Sequence, residues 1–414
     1  MSIMAASSSA SSALLSTEGL VLKQERCPRT GLYRLTRAKV ELSPFSSGHA
    51  PPTPHAVVRI HAVSLNRRDY WIRRGMYPGI RFHSVLGSDA SGTVEQLLLR
   101  SNHEREEEES KRWIGKRVVL NSAVGWGNDE RAPNAETFGV LGMRPLPGTL
   151  AERIVVPVGL LAEIPPHLSF EEAACLPVAG LTAWRGLVTK GEVEKGSNVL
   201  ITGGGGGVAT IAAQLAVAMG ANVWITSGSD EKLAFLINKL GVKGGVNYNN
   251  KDWPTQLEQL VLSQLPHSNN ANNDSGEQPT ATKKKKSPLL FDCVLDGSGG
   301  QSLSSYVRLL RLGGRVVIYG VTAGLSLPDD FNLAVLFLKQ VELRGTSMGS
   351  EKEWKECLNF VAQHRIVPLV DRVYPFGQYE EAFERLAQHG QTGKIVLRLP
   401  SKQEEETQQA VARL

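Results

Sequence analysis

The chain has 414 residues, of which 41% are hydrophobic and 21% are charged, and its formal net charge at pH 7 is +5. This composition is typical of a soluble globular protein with two or three domains. No run of about 18 apolar residues occurs, which excludes a membrane-spanning helix. The four cysteines lie far apart without a C-x-x-C pair, which argues against a zinc cluster or a disulfide framework and favours a reduced, cytoplasmic setting.

The N-terminal stretch is rich in Ser and Ala and has no Lys or Arg in its first 16 residues. A mitochondrial presequence would be rich in Arg, and a secretory signal would begin with basic residues. Residues 1–18 are therefore predicted to be a disordered tail, and a cytoplasmic location is favoured over a mitochondrial one. Residues 401–414 are predicted to be a second tail.

Residues 19–166 have the texture of a β-rich domain, because short runs of Val and Ile alternate with Gly and Pro. An acidic block at residues 100–112 interrupts this pattern and is predicted to be a solvated loop insertion. The three clearest strand-like runs are Ala56–Ile60, Lys116–Leu120 and Ala151–Val156.

Beyond residue 167 the pattern changes to alternating helices and strands. Ser169 and Glu172 have the spacing of a capping box and predict a helix start. The alternation continues to residue 346 and indicates a parallel, doubly wound sheet. Residues 268–287 interrupt it, and they are predicted to be a disordered insertion because they are too polar to fold alone. The Lys283–Lys286 run leaves an RNA-binding arm open as an alternative.

The strongest chemical signal is an apolar run that starts at Asn198, ends in five consecutive glycines and continues into a helix of small residues. A strand, a glycine turn and a helix allow a pyrophosphate to lie against free backbone N–H groups at the helix N-terminus. The spacing fits G-x-G-x-x-A, so this stretch is predicted to bind a dinucleotide. The expected contacts are Gly204, Gly206, Gly207, Val208 and Ala209.

The end of the second predicted strand, Ala221–Thr226, distinguishes NADPH from NADH. An NAD site usually has a carboxylate at this strand end, where it accepts from the ribose 2′-hydroxyl. Here Asp230 comes slightly later, where an acid favours the helix dipole. Ser227, Ser229 and Lys232 can instead donate to a 2′-phosphate, which favours NADPH as the cofactor.

Six short blocks follow one another in a fixed order and carry a family resemblance: Ser64–Asp69, Leu86–Gly92, Ala173–Trp184, the glycine turn, Gly313–Gly320 and Thr392–Leu397. They resemble the medium-chain dehydrogenase/reductase superfamily and, within it, the zinc-independent, quinone-oxidoreductase-like branch. The resemblance covers about residues 20 to 399. It implies an α/β protein with a GroES-like β-rich catalytic domain (19–166), a Rossmann cofactor domain (167–346) and a C-terminal return to the catalytic domain (347–400).

The zinc alcohol dehydrogenases of this superfamily hold a catalytic metal with Cys and His side chains. The matching places in this chain hold Asn66 and the pair Ser88–Asp89, and the third, near Val178, offers only apolar residues. The resemblance therefore implies no metal. Quinones and α,β-unsaturated carbonyls accept hydride without one, because they are already electron-poor and need only a proton afterwards.

The resemblance also implies roles on the substrate side. Asn66 is expected to bind the substrate carbonyl or the cofactor, with a turn-stabilising Asn as the alternative. Asp69 is expected beside it, with a capping role as the alternative. Tyr77 matches a proton-donating tyrosine of enoyl-thioester reductases, so such a reductase stays open; a ring beside a proline turn is the other interpretation.

On the cofactor side, the resemblance implies further contacts from separate parts of the chain. Thr182 is expected near the nicotinamide, and Gly320 with Val321 near its carboxamide. Tyr248 is expected beside Lys232 at the 2′-phosphate, and Lys394 is expected at the cofactor.

Two broader expectations complete the interpretation. Residues 341–346 form a predicted edge strand through which the chain is expected to make a homodimer. A non-catalytic protein that binds NADPH for regulation, with RNA association through the lysine run, is the alternative to an enzyme.

Overall fold

The computed structural model describes residues 16–42, 54–98, 108, 111–127, 129–143, 146–264 and 290–400. The predicted insertion at 268–287, most of the acidic block at 100–112 and the tail at 401–414 lie outside the described residues. Strand β1, Ser16–Arg26, begins inside the range predicted as the N-terminal tail. None of the described helices is long and apolar enough to cross a membrane.

The chain divides into two compact units. Unit 1 contains the described residues up to Arg185, the segment Gly206–Leu215 and the described residues from Ser347 onward. Unit 2 contains Gly186–Gly205 and Ala216–Thr346. The predicted α/β class, with a β-rich part and a part built on a parallel sheet, is confirmed.

Unit 1 is built on one large sheet and two strand pairs. The strand order across the large sheet is β16-β17-β3-β4-β5-β9, and β8 also pairs with β3. The pairs are β1 with β2 and β6 with β7. The ranges are β2 Tyr33–Glu41, β3 His55–Ser64, β4 Asp89–Leu98, β5 Arg117–Leu120, β6 Ala123–Val124, β7 Gly139–Val140, β8 Arg153–Pro157, β9 Leu161–Glu163, β16 Val370–Pro375 and β17 Lys394–Arg398.

The centre of this sheet explains why the C-terminal segment folds with the first part of the chain. Strand β3 is rich in Val, Ile and Ala and is buried along almost its whole length, so both of its faces need apolar cover. Strand β17 runs antiparallel beside it, with Val396 opposite Ser64. The pairing brings Lys394, at the start of β17, towards the end of β3.

The described helices of unit 1 include one that differs from the sequence-based prediction. The sequence pattern predicts only β structure before residue 166, but Arg67–Arg74 forms helix α1. The predicted capping box at Ser169 is confirmed, since Glu172 N donates to Ser169 Oγ at 3.1 Å. The other helices are α2 Phe170–Ala173, α3 Pro177–Arg185, α9 Glu351–Gln363 and α10 Tyr379–Ala387, together with most of α4 Gly207–Ala218.

Unit 2 is a six-stranded sheet in which every described pair is parallel. The strand order is β12-β11-β10-β13-β14-β15, so the direction of winding reverses at β10 and β13. Ligands of doubly wound sheets bind at the carboxyl ends of the strands where this reversal occurs. The strands are β10 Asn198–Ile201, β11 Asn222–Ser227, β12 Gly244–Asn247, β13 Phe291–Asp296, β14 Leu310–Ile318 and β15 Glu342–Gly345.

Helices and large apolar side chains cover this parallel sheet. Trp224 on β11 and Phe291 on β13 meet edge to face, with ring centroids 5.7 Å apart, and both side chains are almost completely buried. The helices that belong wholly to unit 2 are α5 Asp230–Leu240, α6 Trp253–Gln264, α7 Leu303–Leu309 and α8 Ala334–Lys339.

Candidate functional site

The glycine turn follows β10 directly. Gly203 has φ 59°, a left-handed conformation that glycine adopts at little cost. A Cβ on Gly204 would lie 3.0 Å from the Cβ of Ile225, so a side chain there would crowd β11. Gly204 N donates to Thr226 O at 2.7 Å, which fixes the turn against the second strand. The turn therefore presents backbone without side chains, as a pyrophosphate requires.

The helix that follows begins where the sequence pattern placed it. Gly207 opens α4, and Thr210 N donates to Gly206 O at 2.9 Å in its first turn. Ala209 is fully buried, and Val208 is half-buried. These residues fit a dinucleotide, because the early N–H groups of a helix have no carbonyl partners within the helix.

The residues predicted at the 2′-phosphate lie together at the ends of β11 and β12. The parallel register sets Ser227 opposite Asn247, so Tyr248 follows at the same edge. Tyr248 N donates to Ser227 O at 3.0 Å. A Cβ on Gly228 would lie 2.5 Å from the Tyr248 hydroxyl, so that phenol covers the turn.

The start of helix α5 completes this group. Ser229 is the N-cap, and its hydroxyl accepts from Lys232 N at 3.3 Å, so Lys232 lies in the first turn. Asp230 also lies in the first turn, as predicted, and its carboxylate accepts from Asn247 Nδ2 at 3.0 Å. Two hydroxyls, a phenol and the Asp230 carboxylate therefore lie at one strand edge, and Lys232 stands in the adjoining first turn of α5. Hydroxyl and ammonium donors suit a phosphate.

A buried carboxylate that the sequence reading did not select organises the next strand end. Asp296 ends β13 and is fully buried. Its Oδ1 accepts from Thr202 Oγ1 at 2.6 Å and from Ser298 Oγ at 2.6 Å, and its Oδ2 accepts from Gly299 N at 2.7 Å. Burial and this carboxylate raise the pKa of Tyr306, whose hydroxyl lies 3.1 Å from Ser298 Oγ, to about 12.

The other predicted cofactor contact of unit 2 lies beside this network. A Cβ on Gly320 would lie 2.8 Å from Gly297 O, so the backbone after β14 packs directly on the loop after β13. Val321 is 45% exposed and can contact a ligand.

In unit 1, Lys394 lies among the residues that the resemblance matches to the zinc-ligand positions of alcohol dehydrogenases. Its ammonium is buried and donates to Asn66 Oδ1 at 2.6 Å, Leu65 O at 3.1 Å and Asp89 Oδ2 at 3.3 Å. Asn66 Nδ2 donates to Ser88 Oγ at 3.4 Å. All three donors of the lysine are thus in use.

Asp89 links this network to the third of those positions. Its Oδ1 accepts from Val178 N at 3.0 Å and from Ser122 Oγ at 3.1 Å. The stem of Lys394 also packs on helix α4, because a Cβ on Gly207 would lie 2.5 Å from its Cδ. Lys394, which the resemblance places at the cofactor, therefore connects the start of α4 to Asn66 and Asp89.

Asp69, predicted beside Asn66, helps to start helix α1. Its Oδ2 accepts from Asn66 N at 2.9 Å, the return bond of a capping box. Burial raises the pKa of Asp69 to about 6; the nearby Asp89 acts in the same direction, while Arg68, the Asn66 N–H and Lys394 oppose it.

We expect this raised pKa to appear in a stability–pH profile. Because the folded chain holds the Asp69 proton more tightly than the unfolded chain, stability falls as pH rises from about 4 to about 6. An Asn at position 69 does not titrate, so Asp69→Asn lacks this pH-dependent loss. The free energy of unfolding of the variant minus that of the wild type should therefore increase by about 2 kcal/mol as pH rises over this range. Urea unfolding at pH 4 and pH 7 measures the difference, and parallel profiles would contradict the prediction.

Thr182 and Tyr77 lie elsewhere in unit 1. Thr182, on α3, is buried, and its Oγ1 lies 4.0 Å from Met348 Sδ. The half-buried ring of Tyr77 packs against the core, with the Arg68 guanidinium carbon 5.5 Å from its centroid. Among the described residues, no group of three or more His, Cys, Asp and Glu side chains has the arrangement of a metal site.

Comparison with known proteins places this architecture in a family. The model for "Alcohol dehydrogenase GroES-like domain" matches residues 52–166, and that for "Zinc-binding dehydrogenase" matches residues 207–363. The zinc-type alcohol dehydrogenase-like protein YogA of Leptosphaeria maculans is 33% identical to the chain, over 91% of the chain and 96% of that protein.

Two further relatives agree. The quinone oxidoreductase of Mus musculus is 25% identical, over 84% of this chain and 90% of that protein. The crystal structure of a putative alcohol dehydrogenase from Sinorhizobium meliloti 1021 matches with a TM-score of 0.73 at 28% identity, over 92% of this chain and 98% of that one. The chain therefore belongs to the medium-chain dehydrogenase/reductase superfamily of oxidoreductases.

Proposed function

We propose that the chain is a zinc-independent, NADPH-dependent oxidoreductase that reduces quinones or α,β-unsaturated carbonyls. The observation that carries this proposal is the Lys394 ammonium, bonded to Asn66 and Asp89. Zinc binds through Cys, His and carboxylate groups. Here the carboxylate already neutralises a lysine, and a second cation beside that ammonium would be repelled. One of the two matching family models is that of zinc-binding dehydrogenases, so the support for a metal-free site comes from the residues of this chain.

The chain's own residues then have distinct tasks. The glycine turn and the start of α4 would bind the pyrophosphate, and the group around Lys232 would bind the 2′-phosphate. When bound, the reduced nicotinamide supplies the hydride. Asn66 Oδ1 is held by Lys394, and its Nδ2 donates to Ser88 Oγ at 3.4 Å and to Ser64 O at 3.5 Å. In this proposal a substrate carbonyl replaces one of these two long bonds as the acceptor. Tyr77 remains the proposed proton donor.

A panel of small quinones, enones and enoyl-thioesters, each offered with NADPH and with NADH, tests this function. We expect NADPH oxidation with quinones or enones that persists after treatment with a metal chelator. A strong preference for enoyl-thioesters, lost in Tyr77→Phe, would favour the enoyl-thioester reductase instead. Tight NADPH binding without turnover of any acceptor would favour the non-catalytic alternative, and activity lost to the chelator would contradict the metal-free site.

Lys232→Ala tests the choice of nucleotide. Removing one charged donor to the 2′-phosphate should lower kcat/KM for NADPH about tenfold to a hundredfold. The value for NADH, which has no 2′-phosphate, should change little. Lys239→Ala, in the last turn of the same helix, is the matched control and should leave both values unchanged. Equal losses with both nucleotides would show that Lys232 does not contact the phosphate.

We also propose that two copies of the chain associate through unit 2. Strand β15 ends the described sheet, and β14 is its one neighbour within it. Leu325, Leu333, Phe337 and Leu338 lie before this strand in the chain and are 66–87% exposed, which is unusual for large apolar side chains. A second copy would cover them. A sedimentation mass of one chain at micromolar concentration would contradict the proposal.

A further inference from the structure

Arg68 has one edge of its guanidinium buried and unpaired. The residue lies in the first turn of α1 and is only 9% exposed. Its Nη1 donates to Leu141 O at 3.1 Å. Its Nε and Nη2 are also buried, and neither has a hydrogen-bond partner among the described residues. The neighbouring carboxylate, Asp69 Oδ1, lies 3.9 Å from Nη1, which is too far for a hydrogen bond.

Other arginines with a buried nitrogen differ from Arg68 in this respect. The buried Arg73 and Arg185 and the half-buried Arg315 each have one such nitrogen without a partner, but each also donates to a carboxylate. Arg68 has two such nitrogens, and its nearest carboxylate, Asp69, forms an ion pair at 3.9 Å without a hydrogen bond. Buried donors without partners cost free energy in the folded chain. An anion that accepts from them removes this cost, so its binding is favourable.

The geometry of the unpaired edge defines the ligand. Nε and Nη2 lie on the same side of the planar guanidinium and present parallel N–H groups. This fork matches the two oxygens of a carboxylate, which it binds in a bidentate manner. A single neutral carbonyl would use the fork incompletely.

The edge belongs to the segment that carries the proposed substrate residues. Arg68 follows Asn66 by two positions, and its guanidinium lies over the ring of Tyr77. Because both nitrogens are buried, a ligand reaches them only when a neighbouring side chain moves. Tyr77 can do so, since its ring is half-buried and its segment is bounded by Gly75 and Gly79, with φ values of 78° and 71°.

We propose that Arg68 binds a carboxylate on the substrate, so that the preferred substrates are α,β-unsaturated carbonyl compounds that carry a free carboxylate. The inference rests on the proposed function for its substrate class. Arg68 is a positioning residue that anchors the acid while Asn66 faces the carbonyl. The substrate carboxylate accepts from Nε and Nη2, the two buried donors that have no partner among the described residues.

Equilibrium binding tests the anchor without turnover. Calorimetry on the full chain saturated with NADP⁺ compares trans-cinnamate with its neutral counterpart, cinnamamide. We expect the wild type to bind cinnamate at least about tenfold more tightly. Arg68→Met should abolish that preference, and Arg68→Lys, which keeps the charge without the fork, should retain part of it. Arg74→Met, an exposed arginine of the same helix, should keep it fully. Equal affinity for the two compounds, no binding of cinnamate, or a preference that survives in Arg68→Met would overturn the inference.

Steady-state rates distinguish a failure of the carboxylate anchor from a failure of the proposed function. With NADPH, 4-oxo-2-pentenoate should show a kcat/KM at least about tenfold above that of its methyl ester, and Arg68→Met should equalise them. Reduction of both compounds without a preference for the acid refutes the anchor and leaves the proposed function intact. If no quinone, ester or acid is reduced, the proposed function fails, and the calorimetry alone decides whether Arg68 binds carboxylates.

Discussion

Replacing Lys394 with Met is expected to destabilise the folded chain by about 3–5 kcal/mol. The substitution keeps the apolar stem but removes a buried cation, leaving the Asp89 carboxylate unpaired and Asn66 Oδ1 without its 2.6 Å donor. Because Asn66 is then free to rotate its amide, kcat for enone reduction should also fall about tenfold or more. Urea unfolding at pH 7 and initial rates with NADPH measure the two effects.

Two further variants separate the lost ion pair from other causes. Lys352→Met removes an exposed lysine that pairs with Glu130, and it should change the free energy of unfolding far less than Lys394→Met does, because exposed ion pairs contribute little. The double variant Lys394→Met with Asp89→Asn has no unpaired buried charge and should recover part of the lost stability. If Lys394→Met costs no more than the exposed control, the ammonium is not the cation that holds this network.

The sequence predicts the elements of the fold well where one local rule decides them. The glycine turn between β10 and α4 follows from strand, breaker and small-residue helix, each visible within a dozen residues. Helix α1 was missed, although Asn66 and Asp69 have capping-box spacing and Gly75 ends the helix. Short Val and Ile runs on both sides dominated the reading, and a helix of eight residues gives little periodicity against them.

In the candidate site too, groups of residues that are close in sequence can be predicted, whereas contacts between residues far apart in sequence cannot. Ser227, Ser229 and Lys232 lie within six residues of one another, and parallel register brings Tyr248 to them. The bond from Lys394 to Asp89 joins residues 305 positions apart, and no pattern in a single sequence specifies such a pairing. The resemblance indicated which positions lack zinc ligands, but only the structure shows the lysine among them.

Asp296 was passed over for a different reason. A single acid at the end of an apolar strand has no spacing partner in the sequence, and Gly297 to Gly299 look like an ordinary loop. Ser298 lies two positions further along the chain, but Thr202 comes from the neighbouring strand end and meets Asp296 only when the sheet forms. A buried carboxylate is costly unless it is hydrogen-bonded, so its position implies a structural task that composition cannot reveal.

Asp296→Ala should therefore have the second large effect. The substitution leaves Thr202 Oγ1, Ser298 N and Gly299 N without their acceptor, whereas Ser298 Oγ keeps the Tyr306 hydroxyl as a partner. Buried donors without partners cost about 1–3 kcal/mol each. Partial relaxation and entering water reduce the sum, so we expect a loss of about 3 kcal/mol in the free energy of unfolding. Thr202 leads into the glycine turn, so NADPH affinity should fall at least about tenfold, as a fluorescence titration would show.

A matched control and a conservative variant test whether the buried hydrogen bonds of Asp296 cause this loss. Asp330→Ala removes an exposed acid of the same unit, bonded to Ser304, and should change stability by less than about 0.5 kcal/mol. Asp296→Asn keeps one acceptor oxygen but turns an amide donor towards other donors, so its loss should be intermediate. An Asp296→Ala protein that unfolds like the wild type but no longer binds NADPH would mean that the carboxylate contacts the nucleotide rather than the loops. Loss of stability with unchanged affinity would mean that the turn keeps its shape without Thr202.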